Sequence, residues 1–247
     1  MKFQFPLKKG KWIKRYKRFM VDLTLADGSE LTVHSANTGS MKNCFVEGGD
    51  AWYWDSENDK RKYPHSLELT ETPSGHVACI NTSRPNYLAV EAIENGTVKE
   101  LQDYQALKTE VRYGDEKSRI DILLVGGAKD IYVEVKNTTL LENTKQGVPS
   151  EDGDATEGIG YFPDSVSERA SKHLRELMRM VELGHRGVIF FCVNHTGIKQ
   201  VRPADHIDKV YGELLREAKQ KGVEVIAYAS HIDESEIYLK KDIPVVL

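Results

Sequence analysis

Cysteine is scarce in this chain of 247 residues: Cys44, Cys79 and Cys192 are odd in number, far apart, and never form a C-x-x-C. Their spacing argues against a disulfide framework or a structural zinc site and suits a reducing compartment, so a cytoplasmic location is expected. Long apolar runs are missing too. The longest, VIFFCV at 188–193, is far too short to span a bilayer. The basic N-terminus is not followed by the apolar stretch of a signal peptide, so no membrane association is expected. Internal repeats are absent, and no G-x-x-x-x-G-K-[ST], G-x-G-x-x-G or H-E-x-x-H occurs. No helix-turn-helix is evident, which speaks against an ordinary operator-reading repressor. DGDATEG at 152–158 hints at a calcium loop, but Glu157 stands where an EF-hand needs glycine.

What is present describes a globular protein. Hydrophobic residues are 40% and charged residues 29%, enough to bury a real core in one large domain or two small ones. The net charge of −4 gives no global reason to expect a polyanionic partner, yet the charge is unevenly spread. Residues 1–20 hold eight Lys or Arg and no acid, whereas the charged residues of 142–164 are mostly acidic.

The first eighty residues read as all-β. FMVDLTL (19–25), ADGS and ELTVHSA (30–36) make a hairpin. CFVEGGDAWYWD (44–55), SLELTET (66–72) and HVACIN (76–81) add three short strands between Gly and Pro breaks. Five such strands fit a small barrel of the OB-fold kind, although a sandwich edge would read the same. From residue 84 the pattern becomes α/β. A helix over 85–95 precedes three strand-like runs at 106–114, 119–125 and 130–137. A helix over 164–184 follows, with Ser165 and Glu168 spaced as a capping box and Gly184 as its stop. A buried strand (187–193), a helix (205–222) and a strand (223–230) complete the series. The expected division is an OB-fold-like nucleic-acid-binding domain over 1–83 and an α/β domain of mixed sheet and flanking helices over 84–247. The stretch 142–160 reads as a mobile acidic loop.

Within that series, SRIDILLVGGAKDIYVEVKNTTL (118–140) carries a carboxylate in the middle of each of two apolar strands. A turn across GGAK pairs positions that sum to 255, which sets Asp121 opposite Glu134, with Lys136 on the same face as Glu134. Directly opposed like charges are unfavourable on a sheet. A cation should therefore lie between them, either a basic side chain or a hard divalent metal such as Mg²⁺ or Mn²⁺. An antiparallel hairpin with one wet face ordinarily carries such residues. Here, however, their neighbours are Leu and Tyr. An Asp followed by Glu-x-Lys on the next strand is also the set that metal-dependent phosphodiester hydrolysis requires, with Asp121 and Glu134 as ligands and Lys136 at the water. Flanked by helix and strand on both sides, the pattern resembles the PD-(D/E)XK nuclease core.

The chain as a whole resembles the sugar fermentation stimulation protein family. The residues that carry the resemblance are RYKRF (15–19), HSANTGSM (34–41), NTSRPN (81–86), SRID (118–121), EVKNTTL (134–140), YFPDSVSERASKHLREL (161–177), RGVIFF (186–191) and GVEVIAY (222–228). The resemblance implies an N-terminal OB-like domain followed by a PD-(D/E)XK-like domain, DNA binding, and a link to the regulation of sugar, notably maltose, metabolism. The acidic segment between Leu140 and Phe162 departs from the family by its length. Glu91, on the helix before the strands, is placed by the nuclease resemblance in the metal shell, although a lone helix Glu is more often merely solvated. Glu110 is a weaker candidate.

Arg169, Lys172 and His173 share one helix face, so they are either a solvated surface or a phosphate clamp beside the carboxylates. Arg119 lies on the Asp121 strand with the same potential use. In the N-terminal run, cations alternate with Phe3, Phe5, Trp12, Tyr16 and Phe19, the combination that binds phosphates and stacks bases on OB-folds. Arg15, Lys17 and Arg18, with Lys60, Arg61 and Lys62, are the expected DNA contacts, and Phe19 is expected to point into the core. Nothing there specifies a base sequence, so binding should be salt-sensitive and largely non-specific. Three functions therefore compete: a DNA-binding protein with a live metal-dependent nuclease site, a DNA-binding regulator that keeps the nuclease fold as scaffold, and a small-ligand sensor whose basic N-terminus is incidental.

Overall fold

The computed structural model describes residues 1–58, 60–114, 118–142 and 158–247. Most of the acidic loop, including the DGDATEG stretch, lies outside these residues.

The N-terminal half is built from β1 (Lys8–Tyr16), β2 (Met20–Thr24), β3 (Glu30–Ser35), β4 (Asp50–Asp55), β5 (His65–Glu71) and β6 (Val77–Cys79). β1 pairs antiparallel with both β2 and β4, β2 with β3, and β4 with β5. A parallel contact of β3 with β5 joins the ends of the row. The sheet therefore closes on itself as a five-stranded OB barrel and not as a sandwich edge. Trp12, Val21, Leu23, Val33, Ala51, Tyr53 and Leu67 fill it. The first strand differs from expectation. Residues 8–16, ahead of the expected strands, form one of their own: alternation sends Gly10 and Trp12 inward and Lys9 and Lys11 outward, so a run that looks basic along the sequence is apolar on its inner face.

The second half is a mixed six-stranded sheet between helices. Its order is β15 (Ile237–Asp242), β14 (Glu224–Ile232), β12 (Arg186–Val193), β9 (Ile131–Thr138), β8 (Ser118–Val125), β7 (Ala106–Tyr113). β9, β12 and β14 run parallel, as their helical crossovers require, while β7, β8 and β15 are antiparallel neighbours. Helix α1 (Arg84–Glu94) covers one face through Leu88, Ala89, Ala92 and Ile93. Helices α2 (Glu168–Glu182) and α3 (Lys209–Gln220) cover the other through Leu174, Leu177, Tyr211 and Leu215. The N-cap of α2 is Ser167, whose Oγ accepts from Ala170 N–H at 3.1 Å, and not Ser165. The cap lies two residues later than the spacing suggests, where Asp208 fixes Ser167 N–H at 2.9 Å. Short strands β10 (Leu140–Leu141), β11 (Ile159–Phe162) and β13 (Gln200–Pro203) form a small third sheet. Among the described residues, no helix is long and apolar enough to cross a membrane.

Barrel and α/β unit share a seam. Cys79 N–H donates to Asn194 O at 2.9 Å, Thr196 N–H to Val77 O at 2.9 Å, and Ala78 bridges His195. On the barrel side of the seam, the fully buried Glu68 carboxylate accepts from Trp54 Nε1, Asn81 Nδ2 and the Arg84 guanidinium. These donors occupy both oxygens of the buried acid, and removing Arg84 would strand it.

Candidate active site and nucleic-acid interface

β8 and β9 pair in the expected register: Ile122 opposite Val133, Leu123 opposite Tyr132, Leu124 opposite Ile131. The ladder ends at Ile122, and beyond it the strands part. In the gap Asp121 substitutes its side chain for the missing backbone partner, its Oδ2 accepting from Val135 N–H at 2.7 Å. Its Oδ1 accepts from Asn86 Nδ2 of α1 at 2.9 Å. Burial, and then the Glu134 charge, push the Asp121 carboxyl up to about 6 despite those two bonds.

Glu134 and Lys136 project from β9 toward α2 and are both buried. Lys136 Nζ donates to Glu134 Oε1 at 2.9 Å and lies 3.3 Å from His173 Nδ1. His173, on α2, contacts the same Glu134 oxygen. Burial pushes the Glu134 carboxyl up, but its bonds to His173 and Lys136 outweigh that and hold it below the ordinary value. Its other oxygen, Oε2, is buried with no hydrogen-bond partner among the described residues. The Tyr113 and Tyr211 hydroxyls are likewise buried without such partners, and burial followed by the Glu134 charge raises both phenols. One opposed carboxylate is thus held by Lys136 and His173. The other keeps its repulsion, and a buried acceptor stays unused. Two hard oxygen donors under mutual repulsion, one with an unspent lone pair, fit a divalent cation.

The remaining expected residues scatter. Glu91 points away: it holds the Met1 amino group at 2.9 Å, and Asn86, five residues earlier, is the side chain that α1 sends to Asp121. Of the helical trio, only His173 reaches the carboxylates, while Arg169 is exposed and Lys172 half-buried. Arg119 is exposed on β8, opposite Arg112. Asn86 and Tyr113 gave no sequence signal beyond the family block NTSRPN, because their role depends on how a helix and an edge strand pack against β8.

On the barrel, both expected basic clusters fall on loops that OB-folds use for oligonucleotides: the β1–β2 turn with Lys17 and Arg18, and the β4–β5 loop with Lys60, Arg61 and Lys62. The two loops meet through aromatics. His34 of β3 stacks on Tyr63 (centroids 5.7 Å, planes 14° apart), and Phe19 lies 5.8 Å from His34 and 6.4 Å from Tyr63. Phe19 is therefore a half-exposed surface residue and not core. The Arg61 guanidinium sits 5.3 Å from the Trp54 ring and Lys62 Nζ 5.4 Å from Tyr63. Lys17 and Arg18 both take left-handed backbone angles, φ 48° and 67°. Arg15 differs from expectation: its guanidinium donates to the carbonyls of Arg18, Asn37, Gly39 and Ser40, so it shapes the turn and is not free for phosphate. The loop it holds reaches the second domain, where Ser40 Oγ donates to Asp164 Oδ2 at 2.7 Å just ahead of α2.

Comparison with known proteins agrees with this layout. The family model described as SfsA N-terminal OB domain matches residues 13–80, and that described as Sugar fermentation stimulation protein RE domain matches residues 83–236. Homologues named sugar fermentation stimulation protein homolog are similar over the whole length. That of Shewanella piezotolerans is 51% identical over 100% of both chains, and that of Saccharophagus degradans 51% over 98% of both. The solved structure of Pyrococcus furiosus SfsA in complex with Ca²⁺ shares the fold, with a TM-score of 0.83 and 24% identity over 100% of this chain and 98% of that one.

Proposed function

The chain belongs to the sugar fermentation stimulation protein family, and from that premise we propose that it is a cytoplasmic DNA-binding protein with a metal-dependent phosphodiesterase site. In this reading the barrel spanning 1–83 grips the strand and the α/β unit spanning 84–247 does the chemistry. The observation that carries it is the pair of half-buried Asp121 and buried Glu134, with its unused Glu134 oxygen and Lys136 alongside. The Ca²⁺ in the Pyrococcus furiosus relative's structure supports a divalent ion in this fold.

Asp121 and Glu134 would hold Mg²⁺ or Mn²⁺. Bound there, the ion polarises a phosphoryl oxygen and lowers the pKa of a water. The chain's own groups prepare the place. Asn86 and Val135 N–H fix the Asp121 carboxylate, and His173 and Lys136 orient that of Glu134. Lys136 Nζ, beside both, is the group positioned to orient the attacking water. The aromatic patch of Phe19, His34 and Tyr63, ringed by Lys17, Arg18, Arg61 and Lys62, supplies stacking and phosphate neutralisation without base readout.

Nicking of supercoiled plasmid in Mg²⁺ or Mn²⁺ tests the proposal, with Asp121→Ala and Glu134→Gln purified in parallel. Cleavage lost in both variants, with DNA binding retained, is expected. Binding without cleavage by the wild type would favour the second reading, a regulator of sugar metabolism that binds DNA and uses the nuclease fold as scaffold.

A further inference from the structure

In front of Asp121, between the first turn of α1 and β7, lies a cavity of about 230 Å³ lined by Thr82, Ser83, Asn86, Tyr87, Thr109 and Glu110, with Val90 behind. Two of its lining residues neighbour Asp121, which does not itself line it. Asn86, in its wall, donates to Asp121. Glu110, on its rim, occupies the β7 position that faces Asp121: the pairs Thr109–Ile122 and Val111–Ile120 flank it, and the pair between them is skipped. Glu110 takes φ 55°, a left-handed conformation that L residues with a side chain rarely adopt. That backbone breaks the alternation of the strand, so the consecutive residues Thr109 and Glu110 both line the cavity instead of facing opposite sides of the sheet. Irregular strand geometry that re-aims a side chain beside a reactive centre is a recurrent device.

The chemistry of the walls selects what can enter. A carboxylate on the rim repels phosphate, so the charged part of a nucleotide stays outside, toward Lys136 and the cation that Asp121 and Glu134 would hold. The Thr82 and Ser83 hydroxyls give their protons to Ala36 O and Asn81 Oδ1 and so can only accept, the Thr109 hydroxyl donates and accepts, and the Glu110 carboxylate accepts only. Tyr87 is 65% exposed, although it is a large aromatic on the first turn of a helix. Such a ring is a free stacking surface. The volume is below that of an ordinary small-molecule pocket and suits one ring system.

We propose that this cavity receives a single unstacked nucleobase of the bound strand, stacked on Tyr87, with its exocyclic amino group donating to Glu110. The inference rests on the nucleic-acid reading above and adds to it a subsite that places one phosphate next to Asp121. It also implies a preference for adenine, cytosine or guanine, which carry exocyclic amino groups, over thymine, which does not.

The probes are free 2′-deoxyadenosine and thymidine, followed by saturation-transfer NMR on the full chain, with a labelled single-stranded oligonucleotide measured by fluorescence anisotropy in parallel. Wild type and Tyr87→Phe are expected to bind deoxyadenosine alike, and Tyr87→Ala about tenfold more weakly, as loss of one stacked base predicts. Glu110→Gln, whose amide both donates and accepts, should lose the preference for deoxyadenosine over thymidine. If the oligonucleotide binds but deoxyadenosine does not, or binds all four proteins equally, the subsite is refuted and the DNA-binding reading stands. If the wild type binds no oligonucleotide, both fall.

Discussion

At the scale of single residues, the site is a problem in placing two negative charges where sheet geometry forces them together. Glu134 is relieved by Lys136 and His173, and Asp121 is not. The sign of the consequence follows. Asp121 titrates at about 6 when folded, above its unfolded value of 3.8, so the folded chain binds that proton more tightly. The group costs nothing at low pH, and its penalty grows as pH rises through the window from about 4 to 6, reaching about 3 kcal/mol. Urea unfolding without divalent ions, comparing wild type with Asp121→Asn, should show the variant gaining up to about 3 kcal/mol on the wild type between pH 4 and pH 7. A difference independent of pH would mean that the carboxylate is not under strain. Conversely, Mg²⁺ or Mn²⁺ should raise the melting temperature of the wild type at pH 8, less at pH 5, and not that of Asp121→Asn. Asp121, Glu134 and Lys136 were legible in the sequence because strand alternation and hairpin register are simple arithmetic. Glu91 was not: only the seating of α1 decides that Asn86 faces β8 and Glu91 faces Met1.

At the scale of elements, the β1–β2 turn trades stability for presentation. Two consecutive left-handed residues at a hairpin tip ordinarily call for Asn and Gly, and this chain places Lys17 and Arg18 there. Each costs about 1 kcal/mol relative to a residue at ease in that region. Lys17→Gly and Arg18→Gly should therefore leave stability unchanged or raise it by up to about 1 kcal/mol each, while weakening DNA binding. Thermal denaturation and anisotropy on the same preparations read both. A loss of stability with unchanged affinity would show the turn to be purely structural. The hairpin between β2 and β3 and the crossover helices could be read from turn chemistry and periodicity. β1 could not, because its lysines mask an alternation that only barrel closure reveals, and neither could the start of α2, which depends on Asp208 some forty residues away in the chain.

At the scale of the whole molecule, a net charge of −4 conceals a basic face. Binding through that face should release counterions in proportion to the phosphates neutralised, with a slope of log affinity on log salt of about −0.7 per contact for a single strand. Replacing Lys17, Arg18, Arg61 and Lys62 together by Gln should flatten the slope by about 3. A slope unmoved by these four changes would locate the DNA elsewhere. The closure of β3 on β5, which brings the two basic loops together, has no counterpart in local sequence pattern; it follows from packing the barrel as a whole.

The backbone bonds that run from β6 to the residues just after β12, and the Ser40–Asp164 bond, tie the two halves together. A strand seated on the aromatic patch and reaching Asp121 must then cross the same span every time. The protein would act as a ruler: cleavage should occur at a set number of nucleotides from the gripped segment, and oligonucleotides shorter than that span should be bound but left intact.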